Sequence, residues 1–251
     1  MEEIQTNNPA IEAFEPFQRR SLKEEIYESL YNRIIAGKYQ PGKWLRQVEI
    51  SSHLGVSQTP VREALDLLVS VGLAERVPYR GVRVLKLSHE EIVDAYTLRL
   101  LLESTAARVA AIQRTQDQAG RLLQILGEMK PLVNLNEMSK QRQLNREFHL
   151  LVIKATGTPL LVKICEVVFN RFPDWMLYEY MFRHPELLPS SLEGEYKEHL
   201  KIAEAISVGD AEGAYEGVVE HILKRRNELV TFLGVPEKLL TEKTRQYEIR
   251  G

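Results

Sequence analysis

Apolar residues recur along this chain first at helical spacing, then briefly in alternation, then at helical spacing again to the end. After a polar start, Ile26, Leu30, Ile34 and Ile35 mark one face of a helix. It opens at Ser21-Leu22-Lys23-Glu24, where serine and glutamate three residues apart can satisfy two free amides of the first turn. Gly37 and Pro41-Gly42 stop it. A short helix is predicted over about 47–54, closed by Gly55, and a third begins near Gln58. In the third, Val61, Ala64, Leu65, Leu68 and Val69 form one buried stripe, which leaves Gln58, Thr59, Arg62, Glu63 and Asp66 off it. Gly72 ends this helix. Two short runs, 73–77 and 82–85, then read as strands around the turn Pro78-Tyr79-Arg80-Gly81, with Arg83 directed away from the core.

From Ser88 the pattern changes. Ser88-x-x-Glu91 is a second capping box, and only helical periodicity follows it. Helices are predicted near 89–113, 116–130, 137–155, 159–172, 175–183, 190–207 and 210–233, with a last one over 236–247. The chain therefore reads as mainly α. Residues 1–20 form a flexible arm, and 21–87 a winged helix-turn-helix of three helices and a two-stranded wing. Residues 88–235 form an all-α helical bundle, and 236–251 a C-terminal helix or tail.

Composition narrows the class. The 251 residues are 44% hydrophobic and 27% charged, ordinary for a globular protein. Cys165 is the one cysteine, which excludes an intrachain disulfide. No apolar run reaches the roughly 20 residues of a membrane span, and the first residues lack a signal-peptide core. The expected compartment is the cytoplasm. Charge is uneven: residues 19–86 hold twelve Lys/Arg against seven Asp/Glu, or +5, in a chain of net −2. A basic segment joined to an acidic one fits a DNA module joined to something else.

Two short helices joined by Gly55-Val56-Ser57 describe a helix-turn-helix, whose second helix enters the DNA major groove. There Arg62 can donate two hydrogen bonds to guanine, and Gln58 can pair in a similar way with adenine. Thr59 can bond a phosphate or a base. Arg80 and Gly81 would form the wing tip near the DNA backbone or minor groove. The alternative for Arg62 is an ion pair with Asp66, one turn on.

The stretch Gly42-Lys43-Trp44-Leu45 through Ser57-Gln58-Thr59-Pro60-Val61-Arg62-Glu63-Ala64-Leu65, with Gly72-Leu73 and Arg80-Gly81, resembles the GntR family of bacterial transcription regulators. The resemblance implies a winged helix that binds palindromic double-stranded DNA operators as a homodimer. Two positions depart from the family's spelling: Gln58 and Val48 stand where arginines that contact DNA are usual. The cationic contacts then fall to Arg62, Arg46 and the wing.

Six histidines occur, and His149, His199 and His221 lie on apolar stripes of separate predicted helices. The helices of His199 and His221 are joined by Ser207-Val208-Gly209-Asp210 and should pack antiparallel. At about 1.5 Å per residue the two imidazoles lie roughly 12 and 16 Å from that turn, so they can face each other. Imidazoles in an apolar core need partners. Either each is a hydrogen-bonded core residue, or the three share a metal that keeps an open position for solvent or a small molecule.

Phe148-His149, Glu198-His199 and His221, on helices in that order, resemble the all-helical effector domain of the FadR subgroup of GntR regulators. The resemblance implies a divalent metal such as zinc, nickel or manganese, held by Asn145, His149, His199 and His221. Asn145 stands where the family has an aspartate, which removes a negative charge from the ligand set. The resemblance also implies a small organic acid as effector, with Arg99 in the pocket and Tyr96 one turn away. Arg99 could instead only pair with Glu103 at i, i+4. The aromatic cluster Phe169, Phe172, Trp175, Tyr178, Tyr180 and Phe182 reads as packing, and Lys224-Arg225-Arg226 as a solvated basic face near a helix end.

The sequence thus describes a transcription regulator, by resemblance a repressor, whose operator affinity a small molecule controls. An architectural DNA-binding protein with a purely structural helical domain is one rival. A metal-dependent hydrolase is the other, although no acid or base stands at a suitable spacing beside the histidines.

Overall fold

The computed structural model describes residues 21–172 and 174–246. The expected arm over 1–20 and the last residues of the expected tail, 247–251, lie outside them. Helix α1 runs Leu22–Ile35 and begins where expected: the backbone N–H of Ser21 donates to the Glu24 carboxylate at 2.9 Å. Its buried face, Ile26, Leu30, Tyr31, Ile34 and Ile35, packs on α3 (Gln58–Ser70). Helix α2 (Gln47–Leu54) ends at Gly55, whose left-handed φ of 66° turns the chain sharply toward α3. Val61, Ala64, Leu65 and Leu68 of α3 are buried and Val69 is partly so, on the face that the stripe indicated.

The wing has one strand more than the sequence suggested. Its sheet is antiparallel in the order β1 (Trp44–Leu45), β3 (Gly81–Val84), β2 (Ala74–Val77). Trp44 faces Arg83, Leu45 faces Val82, and Ala74 faces Val84. Two residues are too few to display alternation, so β1 is defined by its partner and not by its own pattern. Arg83 does leave the core, to pair with Glu75 at 2.8 Å beside the Trp44 ring. At the wing tip Tyr79 is fully exposed and holds φ 61°, a left-handed conformation uncommon outside glycine.

The remaining helices are α4 (His89–Gln113), α5 (Gln116–Met129), α6 (Met138–Lys154) and α7 (Pro159–Arg171). They continue with α8 (Asp174–Arg183), α9 (Leu188–Val208), α10 (Ala211–Leu233) and α11 (Glu237–Gln246). Capping boxes start α4 at Ser88/Glu91 and α5 at Thr115/Gln118. Helix α4 lies at the centre, against α6, α7, α9, α10 and α11. Its run of Ala106, Ala107, Ala110 and Ala111 lets neighbours approach closely. Helices α9 and α10 are neighbours in space, joined at Gly209 (φ 85°), with the Asp210 carboxylate accepting from the Gly213 amide. Gly217 of α10 permits their contact, because a Cβ there would meet Ile202 of α9 at 3.1 Å.

The described residues form one apolar core in the winged unit and, in the helical unit, a large core with a smaller cluster of Ala106, Ile153, Cys165 and Phe169. Helix α8 reaches across between the units: Trp175 has no exposed surface and belongs to the winged unit's core, and Met176 packs against that core. No helix among the described residues is long and apolar enough to cross a membrane.

Candidate functional site

The exposed start of α3 borders a groove of about 700 Å³. Arg46, Gln58, Arg62, Arg80 and Gly81 line it, so five of the six expected DNA contacts share one surface. Thr59 is exposed in the first turn of α3 but lies outside the groove. Gln47, which the sequence pattern did not single out, ties the two helices together. Its side-chain amide donates to the Gln58 carbonyl at 3.1 Å and to the Gln58 side-chain oxygen at 3.2 Å. Arg62 has no carboxylate partner among the described residues. The alternative pairing with Asp66 is not formed, because Asp66 takes Arg76 from β2 instead. Arg46 makes a long, exposed contact to Glu49 at 3.5 Å.

The three histidines converge. His149 of α6, His199 of α9 and His221 of α10 are all buried, and one ring nitrogen of each lies within 4.8 Å of the others. Nε2 of His149 and Nε2 of His199 are 3.2 Å apart. Carboxylates hold the outer nitrogens of two rings. His149 Nδ1 is 2.7 Å from Glu103 of α4, and His221 Nδ1 is 2.8 Å from Glu198 of α9. Such outer partners set the tautomer and leave Nε2 facing inward. Burial, reinforced by the neighbouring imidazoles, pushes His199 and His221 well below the usual histidine range, so both are neutral at pH 7. Burial alone would raise the Glu103 carboxyl, but Arg99 and His149 outweigh it and hold it at about 2.

The donor set suits a cation. Imidazoles are metal ligands, and the rings of His149 and His221 already have the carboxylates on their outer nitrogens that such ligands use. Two buried polar atoms beside them lack any hydrogen-bond partner: Oδ1 of Asn145 and Nδ1 of His199. Buried orphans of this kind call for an ion, a water or a ligand. The three histidines form a group that could hold a metal ion.

Arg99 is at the site, buried, with Nε 2.5 Å from Glu103 and its guanidinium over Phe172. It pairs with Glu103, and it also lines the two small cavities beside the histidines. Tyr96 is elsewhere. It is buried in the helical core and lines neither cavity, because one full turn carries its ring along α4 into the packing. Phe169 and Phe172 serve as packing and as cavity wall, whereas Phe182 is 39% exposed. Each cavity measures about 20 Å³, with Asn145, His149, Phe172 and Asp174 common to both. That is room for roughly one water molecule.

Several participants escaped sequence analysis. Glu103 was visible only as a partner for Arg99, and Glu198 as a neighbour of His199. Arg225 corrects the expectation of a solvated basic run. Its side chain is 12% exposed and pairs with Glu228 at 2.9 Å and Glu198 at 3.5 Å. Of that run Lys224 is exposed and Arg226 is partly so, its side chain 27% exposed. The signal that could have found these residues is acidic residues at helical spacing beside a buried histidine, but that signal is weak without the helix packing.

Comparison with known proteins fits both surfaces. Residues 22–84 match the model of the bacterial regulatory proteins of the gntR family, and residues 91–224 match the FCD domain. The chain is 26% identical to the HTH-type transcriptional regulator McbR of Escherichia coli (strain K12), over 80% of its length and 89% of that protein. It is also 26% identical to the HTH-type transcriptional repressor GlaR of the same strain, over 78% of its length and 90% of that protein. The solved structure of E. coli McbR/YncC shares the fold, with a TM-score of 0.61 at 23% identity, covering 84% of this chain and 98% of that one. These relatives are transcription regulators and not enzymes, which removes the hydrolase alternative. The chain belongs to the GntR family of bacterial regulatory proteins, with an FCD domain behind its winged helix, and is a DNA-binding transcription regulator.

Proposed function

We propose that this regulator represses transcription from a palindromic operator as a homodimer and that a small organic acid, bound near a divalent metal in the helical unit, controls its affinity. The observation that carries the proposal is the cluster of His149, His199 and His221, backed by Glu103 and Glu198 and adjoined by the orphaned Oδ1 of Asn145. In this reading residues 21–87 read DNA and 88–235 sense and dimerise. Arg46, Gln58, Thr59, Arg62, Arg80 and Gly81 meet the operator, with Arg62 as the principal base contact. The place of action is the cytoplasm, where the DNA is.

The three imidazoles and Asn145 would hold the metal, taken as zinc, nickel or manganese. When bound, it would supply a Lewis-acidic position for an oxygen of the effector. The chain's own groups do the rest. Glu103 orients His149 and restrains Arg99, Glu198 orients His221, and Phe169 and Phe172 keep bulk water from the pocket. Arg99 supplies the positive charge on that side. For the dimer, Leu160, Ile164 and Val167 give α7 an exposed apolar stripe, 67%, 44% and 65% exposed, that a second copy would cover.

Elemental analysis with a thermal-shift screen of organic acids tests the site. Wild type should contain about one divalent metal per chain and melt higher with at least one acid. His199→Ala should lose both. A variant that keeps its metal and its response would refute the ligand set.

A further inference from the structure

The helical unit grips the recognition helix through one arginine. Arg142 lies on α6, one turn before Asn145 and two before His149. It is buried, and its guanidinium meets two partners at once. Nε and Nη2 donate to the two oxygens of Asp174, each at 3.1 Å, and Nη2 also donates to the carbonyl of Val71 at 2.6 Å. Val71 is the C-terminal cap of α3, where helix carbonyls lack partners of their own. Gly72 follows it at φ 73°, so close to α7 that a Cβ would come within 2.8 Å of the Asn170 carbonyl oxygen. On the other side Asp174 opens α8, and the next residue, Trp175, is planted in the core of the winged unit. The far end of α3 is thus held by the helical unit, not by its own unit alone.

Asp174 also belongs to the wall of both cavities beside the histidines. These hold about 20 Å³ each, so anything larger than roughly one water must displace their walls. His149 is tied to Glu103 and cannot yield freely. Arg99, Asn145, His149, Phe172 and Asp174 line both, and of these Phe172 and Asp174 lie at the junction of α7 and α8. If Asp174 moves, Arg142 must follow it or remain as a buried charge without its carboxylate, a costly state. Following it means releasing or dragging the Val71 carbonyl.

We propose that Arg142 and Asp174 are positioning residues for the recognition helix, through which filling of the histidine pocket shifts the seat of α3. Their effect on DNA rests on the placement of α3 against DNA given above. The device needs no long pathway, since Asp174 touches the cavity and Arg142 touches α3. A ligand acts through it to the extent that it prefers the displaced arrangement.

The test uses the full-length protein and a duplex selected by the wild type from a random-sequence pool. Two readouts are taken: amide hydrogen exchange by residue, and Kd for that duplex. Asp174→Asn keeps the shape and removes the charge. It should speed exchange over residues 68–73 about ten-fold, while amides of α5 and α10 keep their rates. It should change Kd about five-fold and leave metal content unchanged. Phe172→Trp, which overfills the cavity wall, should change Kd in the wild-type background and have no further effect in Asp174→Asn. Lys201→Gln, on an exposed pair, should move neither readout. If Asp174→Asn does not fold, Arg142→Lys replaces it, because an ammonium cannot span both partners as the guanidinium fork does. Unchanged exchange over 68–73, faster exchange spread evenly over the chain, or additive effects of the two substitutions would each overturn the proposal. Faster exchange over 68–73 with an unchanged Kd would overturn the placement of α3 on DNA instead.

Discussion

In the groove beside α3, Arg62 and Arg80 are exposed and have no carboxylate partner among the described residues. In the helical unit, Arg99, Arg142 and Arg225 are each pinned by a carboxylate largely out of water. The same side chain is therefore used in opposite ways. An exposed cation keeps its charge available for a polyanion, and most of what it gains comes from phosphate contacts and released counterions on binding. A pinned cation has already met its partner, so it contributes geometry. The groove is ready to bind as it stands, whereas the pocket holds its residues in register around a space too small for an organic acid. On the proposed function, binding at the groove can be rigid, whereas an organic acid at the pocket has to move something.

Breaking a pinned pair should have the largest effect. Glu103→Ala leaves both Arg99 and His149 buried without their carboxylate and should cost about 3–5 kcal/mol of stability. Urea denaturation reads this as a lower midpoint, and a loss under about 1 kcal/mol would mean that the pocket tolerates bare charge and is wetter than its packing indicates. At the groove the effect should fall on affinity instead. Arg62→Ala should cost about 1–3 kcal/mol of operator binding, relax base preference at one position and leave the denaturation midpoint in place. If operator binding is as tight as in wild type, α3 does not read the major groove. The smallest effect belongs to a pair that is neither pinned nor poised. Lys201 and Glu220 meet at 2.7 Å on the surface with more than half of each side chain exposed. Lys201→Gln should change stability by about 0–1 kcal/mol, and a larger loss would erase the distinction between exposed and buried pairs.

Much of the molecule is legible along the chain because it depends on near neighbours. Helix spans, the Ser21 and Ser88 starts, the Gly55 turn and the buried face of α3 follow from contacts three or four residues apart and from glycine's freedom at positive φ. The convergence of His199 and His221 is also nearly local, since a four-residue connection and similar depths bring them close. His149 joined them as a third histidine on an apolar stripe and by family resemblance, because nothing in the spacing relates α6 to α9. Strand β1 escaped notice, having only two residues and a partner almost forty positions away.

What the sequence by itself determined is the order of elements, the two-part organisation, the helix-turn-helix and the residue types at the histidine cluster. What only the tertiary structure decided is which charges meet. Glu103 behind His149, Glu198 behind His221, Arg225 drawn out of solvent and Trp175 lodged in the other unit's core all depend on how helices cross. So does the size of the pocket. The physical reason is that periodicity and capping are set by backbone geometry within one or two turns. A cross-helix ion pair or a 20 Å³ cavity, in contrast, depends on sub-ångström packing between segments whose separation along the chain carries no distance information.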